Sequence, residues 1–288
     1  MLTVKAPAKI NLTLEVLGRR TDGYHEIRSV IQTIDFCDEL QFESGPGLGY
    51  RSDLPGWDSE KSIINKAVQL VREITGTDYG VTISVKKHIP LASGLGGDSS
   101  DAAAVLKGLN SLWGLGLTTS RLHEMAAGLG SDVPFFLYGG TAFMAGRGET
   151  IAVLPPVNPL WVVLMVPDIS RPENKTAQLY GRLTPYHYTD GQLTTRLVQT
   201  IRDGQTLSSD MVFNTFENVA FDVSGELAAY RRHILKIGAL NVHLAGSGPT
   251  MFSVVRDHAA GKELCERLKT QGLQLYLTST LSSADTFR

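Results

Sequence analysis

Apolar residues alternate with polar ones, or gather in short β-branched runs, at residues 10–17, 39–43, 81–85, 141–144, 161–166, 243–255 and 273–278. A period of two belongs to a strand with one face buried, so these seven segments are predicted strands. Between them, apolar positions recur at helical spacing over 61–74, 100–113, 120–129, 225–237 and 261–270. Several of these close at a glycine, the residue that most easily takes the left-handed turn ending a helix. Strands and helices do not alternate strictly, which predicts an α+β fold.

The run PPVNP at 155–159 separates this pattern from a strand of new character at 161–166. A chain of 288 residues exceeds the size at which single cores stop growing, so two domains sharing a cleft are expected, over 1–155 and 156–288. Residues 167–204 are polar and poorly periodic. They read as a long excursion that lines a site, or else as a mobile insertion.

Composition narrows the partners. Lys and Arg number 27 against 29 Asp and Glu, a net charge of -2, which argues against the basic surface that sequence-independent nucleic-acid binding requires. Any polyanion must be met by a local site. The two cysteines, Cys37 and Cys265, are too far apart in sequence for a paired motif, so neither a disulfide framework nor a protein-bound metal site is expected. The N-terminus lacks the pattern of a secretory leader, and no stretch approaches the about 18 unbroken apolar residues of a membrane span. A cytoplasmic protein with a small-molecule substrate and no nucleic-acid or membrane partner is expected, with monomer and homodimer both open.

The most informative segment is IPLASGLGGDSSDAAAVL at 89–106, an apolar strand end that runs through Gly94, Gly96 and Gly97 into Ser99, Ser100 and an alanine-rich helix. Glycines let backbone N–H groups approach phosphate oxygens, and the helix start adds the positive end of a dipole. Either serine can cap the helix or offer a hydroxyl to phosphate or Mg²⁺. The segment lacks the Gly-Lys-Ser/Thr ending of a P-loop and does not fit a dinucleotide-binding fingerprint. A glycine turn that merely caps a helix is the plain alternative.

Residues 90–103 resemble the phosphate loop of the GHMP kinases, and two further segments share the resemblance: APAKINLTLEVLGRRTDGYHE at 6–26 and LAGSGPTMFSV at 244–254. The resemblance implies an N-terminal domain like domain 2 of ribosomal protein S5, a ferredoxin-like C-terminal domain, and ATP with Mg²⁺ between them. Its loop positions fall on Pro90, Leu91, Ala92, Ser93, Gly94, Leu95, Gly96, Gly97, Asp98, Ser99 and Ser100. Within the superfamily, PAKINL, DGYH and LGSDVPFF are similar to the branch that phosphorylates the 2-hydroxyl of a cytidine diphosphate alcohol on the non-mevalonate route to isopentenyl diphosphate.

That branch implies roles for particular residues. Lys9 matches its active-site lysine and Asp132 its catalytic aspartate, while Asn11, Tyr24 and His25 match contacts to the cytidine diphosphate moiety. Thr176 and Tyr180 match a threonine and an aromatic that help hold the same moiety, although the preceding ISRPENK is more charged and longer than the resemblance leads one to expect. The chemistry is consistent, because phosphoryl transfer to an alcohol needs a carboxylate near the hydroxyl and cations near the transferring group. Asp132 could instead serve as a helix N-cap, and Lys9 as a solvated strand lysine. Asp98 departs from the small neutral residue common at its position and is expected to face solvent or a metal. A GHMP kinase acting on mevalonate, homoserine or a sugar, and a non-catalytic ATP sensor, are the competing functions. The segment around Lys9, Tyr24 and His25 weighs against the first, and the presence of both Lys9 and Asp132 against the second.

Overall fold

The computed structural model describes residues 1–170, 172 and 174–286. Arg171 and Glu173 of the charged ISRPENK run lie outside the described residues. The chain opens on a long antiparallel hairpin of β1 (Leu2–Arg19) and β2 (His25–Gly45). After β3 (Leu48–Ser52) come helix α1 (Ile63–Thr75), strand β4 (Gly80–Lys86), and helices α2 (Gly97–Leu112), α3 (Thr119–Leu129) and α4 (Val133–Tyr138). Strands β5 (Thr141–Gly146) and β6 (Thr150–Val153) lead into β7 (Trp161–Pro167). Then follow α5 (Lys175–Arg182), α6 (Gln192–Arg202), the two-residue β8 (Phe213–Asn214), α7 (Glu217–Val223) and α8 (Gly225–Ile237). The chain ends with β9 (His243–Leu244), β10 (Met251–Val255), α9 (His258–Leu268) and β11 (Leu273–Ser279).

Two sheets result. In the first, β2 pairs with β1 along one edge, while its other edge takes β5 along residues 27–32 and β4 along 39–45. β8 adds to the far side of β1, parallel to Thr13 and Leu14. The second sheet runs β11-β7-β10-β9, all antiparallel, and α9 packs against β7, β10 and β11.

Strand periodicity explains how the sheets meet. Val162 and Leu164 of β7, with Phe252 of β10, pack into one core with Ala8, Ile10 and Leu12 of β1, while Val163 and Met165 turn to a second core with Leu264 and Leu268 of α9. Successive strand side chains point to opposite faces, so Lys9 and Asn11 turn away from the layer that Ala8, Ile10 and Leu12 fill. On the other side of the first sheet, the alanines of α2 pack closely against Phe42, Ile83 and Val85. Pro7 is tolerated in β1 because the register shifts beside it, as at a bulge.

The expected α+β class is found, and several of the expected elements need correction. The segment 243–255 is two short strands parted by a loop at 245–250, where the glycines turn the chain back. The excursion 167–204 contains α5 and α6. Helix α6 buries Thr194, Leu197 and Ile201, a helical spacing hidden because its first inward position is a threonine. That threonine is satisfied inside: its N–H donates to Glu15 Oε2 at 2.6 Å and its hydroxyl to Thr13 Oγ1 at 3.0 Å. β1 and β2 outrun the expected strands because residues 6–16 are buried on both faces, and polar members such as Asn11, Thr13 and Glu15 break the apolar alternation.

Packing in α2 yields a paired test. A Cβ on Gly108 would sit 2.6 Å from Phe42 Cζ, whereas nothing lies within 4 Å of one on Gly128 in α3. Alanine gains about 0.5–1 kcal/mol of helix propensity over glycine at either place. Overpacking a tight core costs about 1–3 kcal/mol, so it outweighs that gain at Gly108 alone. Urea unfolding should therefore show Gly128→Ala raising the midpoint and Gly108→Ala lowering it. A raised midpoint for both would mean that the α2 contact with Phe42 is loose.

Candidate active site

The expected phosphate loop connects the end of β4 to α2. Gly94 and Gly96 take left-handed φ of 85° and 74°, and Ala92, which has a Cβ, takes 51°. Helix α2 begins at Gly97 rather than at Ser100, capped by Gly96 without a side-chain bond. Its first N–H groups have no intrahelical partner, and Ser100 Oγ is buried with no protein partner. Backbone bonds fix the loop on both sides: Lys9 N–H donates to Leu95 O at 2.9 Å and Thr250 N–H to Ser93 O at 3.2 Å. Ser93 and Leu95 are buried and face inward, so their role is to hold the loop. Ala92, Gly94 and Gly96 face a cleft of about 1080 Å³. Leu91 and Asp98 face a smaller depression of about 220 Å³, also lined by Trp57 and Lys87.

Asp98 is exposed and 3.7 Å from Lys87 Nζ, so it faces solvent beside a lysine. Lys87 was not singled out in the sequence, yet it is almost fully buried. It donates to Asp38 Oδ2 at 2.6 Å and Asp101 Oδ2 at 2.7 Å. Asp38 Oδ1 in turn accepts from His88 N–H at 2.6 Å and Ile89 N–H at 2.8 Å, which moors the start of the loop to β2. Burial alone would lower the Lys87 pKa, but Asp101 and Asp38 outweigh it and hold it above the ordinary lysine value.

At the centre of the cleft, Lys9 is 5% exposed, which rules out a solvated lysine. Its Nζ donates to Asn11 Oδ1 at 2.8 Å and lies 3.4 Å from Asp132 Oδ2. Asn11 donates onward to Ser29 Oγ at 2.8 Å, and Ser29 to Thr13 O at 2.6 Å. Asp132 does occupy the N-cap position of α4, but its side chain makes no capping bond. The carboxylate is about one-third exposed and turned to Lys9.

The glycine loop at 245–250 forms the facing wall. A Cβ on Gly94 would lie 2.0 Å from Ala245 O, and one on Gly246 would lie 3.1 Å from Lys9 Nζ. Asn214 of β8, also unmarked in the sequence, holds this loop: its Nδ2 donates to Leu244 O at 3.0 Å and Gly246 O at 2.7 Å.

At the far end of the cleft the His25 ring stacks on Tyr180, centroids 4.8 Å apart and planes at 18°, with Tyr188 edge-on. Burial, helped by Arg19, lowers the His25 pKa; burial, helped by Asp132, pushes the Tyr180 hydroxyl up to about 12. Tyr24 parts from His25 and lies exposed beneath the Arg147 guanidinium, 4.7 Å from the ring centroid. Thr176 is not at this end: its hydroxyl is 2.8 Å from Ser247 Oγ in the glycine loop. Lys175, absent from the expected site, reaches the same region.

Comparison with known proteins agrees with this geometry. Residues 62–140 match the GHMP kinases N terminal domain and residues 195–273 the GHMP kinases C terminal family. The chain is 49% identical to a 4-diphosphocytidyl-2-C-methyl-D-erythritol kinase of Dehalococcoides mccartyi, over 99% of this chain and 100% of that protein. It is 39% identical to the Bacillus cereus protein of the same name, over 99% of both. A crystal structure of 4-(cytidine 5'-diphospho)-2C-methyl-D-erythritol kinase superimposes with a TM-score of 0.82 at 30% identity, covering 97% of this chain and 99% of the other. Relatives this similar from end to end, with both GHMP kinase domains matched, show that the chain belongs to the 4-diphosphocytidyl-2-C-methyl-D-erythritol kinase family of the GHMP kinases.

Proposed function

We propose that this chain transfers the γ-phosphoryl group of ATP to the 2-hydroxyl of 4-diphosphocytidyl-2-C-methyl-D-erythritol, giving the 2-phosphate and ADP on the non-mevalonate route to isopentenyl diphosphate. The observation that carries this reading is one continuous cleft with the glycine loops at one end, the His25–Tyr180 stack at the other, and Lys9 and Asp132 between. The matched segments lie on either side of the PPVNP run, which supports domains over 1–155 and 156–288 with the cleft between them. No helix among the described residues is long and apolar enough to cross a membrane, and in this reading the reaction takes place in the cytoplasm.

In this reading Asp132 is the base. The acceptor oxygen attacks the γ-phosphorus, the bond from that phosphorus to the bridging oxygen breaks to release ADP, and the hydroxyl proton passes to an Asp132 oxygen. Lys9 aims the carboxylate and spreads charge on the transferring group, while Asn11 and Ser29 hold the ammonium in place. The free N–H groups at the start of α2 receive phosphate oxygens, and the depression beside Trp57 and Leu91 takes the rest of the nucleotide. Mg²⁺, when bound, neutralises phosphate charge. The buried Ser100 Oγ, which has no protein partner, would suit it as one ligand. His25, Tyr180 and Tyr24 recognise the cytosine end.

A coupled assay for ADP release, offering the diphosphocytidyl alcohol alongside mevalonate and homoserine, tests the reaction; turnover only with a rival alcohol overturns the substrate assignment. Asp132→Asn should keep its melting temperature and ATP affinity yet lose at least ~100-fold in kcat, the usual worth of a positioned base. Near-normal turnover would remove Asp132 from the mechanism.

His25→Ala separates recognition from chemistry. A base–aromatic stack is worth about 1–3 kcal/mol, so binding of cytidine diphosphate by calorimetry should weaken about tenfold or more while ATP binding holds. Equal binding by wild type and variant would leave the cytosine site elsewhere.

A further inference from the structure

We infer that residues 280–286 position Asp132 through helix α4, with Thr286 as the positioning residue. This rests on the reading of Asp132 as the base and adds to it the segment that fixes where the base stands.

After β11 the chain leaves the second sheet and crosses to the first. Thr280 bridges to Ile34 of β2, and its hydroxyl accepts from Leu160 N–H at 2.9 Å. Leu281 N–H donates to Thr33 O at 2.9 Å, and Gln32 Nε2 donates to Leu281 O at 2.7 Å. A turn at 282–286 then carries Thr286 to the end of α4; its N–H and its hydroxyl both donate to Ser282 O, at 3.1 and 2.8 Å. Thr286 is 1% exposed. It meets Gly139 and Gly140, which follow α4 with left-handed φ of 65° and 67°. Gly140 N–H donates to Thr33 Oγ1 at 2.9 Å and to Thr286 Oγ1 at 3.2 Å. A Cβ on Gly139 would lie 2.4 Å from Thr286 Cγ2, and one on Gly140 would lie 2.7 Å from Ser283 N.

That fit is closer than sealing a core requires. A polar side chain is buried with its hydroxyl bonded, and two successive glycines hold a conformation that other residues rarely adopt, so the place is shaped around Thr286. The helix it touches is six residues long, too short to hold itself, and takes its position from what it packs against. Asp132 is the N-cap of that helix and makes no capping bond of its own, so its carboxylate goes where α4 goes. Gly139 N–H closes the last turn on Phe135 O at 3.0 Å, which passes a shift at the glycines into the helix. In mid-helix, Phe136 packs at the phosphate loop: a Cβ on Gly96 would lie 2.9 Å from Phe136 Cζ and 3.1 Å from Lys9 Cγ. With its middle held there, α4 could still tilt, and a tilt that frees the Gly139 end swings the Asp132 end the other way. Thr286 blocks that tilt from about 9 Å away, six residues at the helical rise.

Thr286→Ala opens space at the glycines and removes the hydroxyl; Thr286→Ser returns the hydroxyl. Each is assayed with whichever acceptor alcohol the wild type turns over. Thr286→Ala should lose about tenfold in kcat at saturating substrates, less than the about 100-fold that a full ångström of misplacement can cost. Its KM for the acceptor and its affinity for ADP should stay within about twofold of wild type, and Thr286→Ser should recover most of kcat. The deciding measurement is a double-mutant cycle. In the Asp132→Asn background Thr286→Ala should cost nothing further, because a residue that acts through the base has nothing left to act on. Loss by the same factor in both backgrounds would make the segment merely structural and overturns the proposal, as does a kcat for Thr286→Ala equal to wild type. Should Thr286→Ala fail to fold, Thr286→Val, which keeps the side-chain shape without the hydroxyl, goes through the same cycle. Normal turnover by Asp132→Asn alone would instead overturn the reading of the base, and this proposal with it.

Discussion

Gly94 and Ala245 come from opposite halves of the chain and touch backbone to backbone. A Cβ on Gly94 would lie 2.0 Å from Ala245 O, closer than any side chain can approach, so this contact exists only because the residue is glycine. The rest of the site is arranged around it. Lys9 N–H bonds to Leu95 O one residue along the phosphate loop, and Gly246, one residue along the other, abuts the Lys9 ammonium. Asn214 then fixes the second loop from behind by taking the carbonyls of Leu244 and Gly246. Moving either loop would shift the N–H groups at the start of α2 and Lys9 together.

That arrangement places a polar stripe deep within the hairpin. Lys9, Asn11, Thr13 and Glu15 on β1 and Ser29 on β2 are all buried, and burial of polar groups is tolerable only when they are bonded. Most are: Lys9 to Asn11, Asn11 to Ser29, Ser29 to Thr13 O, and Thr194 to both Thr13 and Glu15. Such a chain of bonds orders itself only if each member is in place. It therefore gives the Lys9 ammonium a direction that an isolated lysine stem, with several rotatable bonds, would lack.

The same stripe explains what the sequence disclosed and what it withheld. The glycine loops were legible because backbone access to phosphate demands glycines in consecutive order, and Lys9 and Asp132 because each sits in a contiguous motif. α6 escaped notice since Thr194 stands where an apolar residue would have marked the helical face. The length of β2 escaped for a similar reason, as Ser29, Gln32 and Thr33 are buried without being apolar. Asp38, Lys87 and Asp101 form one cluster only after β2, β4 and α2 have packed, and nothing in their spacing announces it. Asn214 and Lys175 are likewise defined by carbonyls far away in the chain. Local chemistry reads directly from a motif, whereas a contact between distant segments has to wait for the fold.

In the proposed reading, the buried cluster under the loop also bears on how a triphosphate is admitted. Two carboxylates on one ammonium would leave a net negative charge beneath the phosphate site, repelling the substrate through a poorly screened interior. Two features bear on that charge. Asp38 Oδ1 is spread over the N–H groups of His88 and Ile89. Burial pushes the Asp101 pKa upward against the pull of Lys87. Asp98, the remaining acid of the loop, stays in water, where its charge is screened. The loop is thus moored from below by buried ionic bonds between Lys87 and the carboxylates of Asp38 and Asp101.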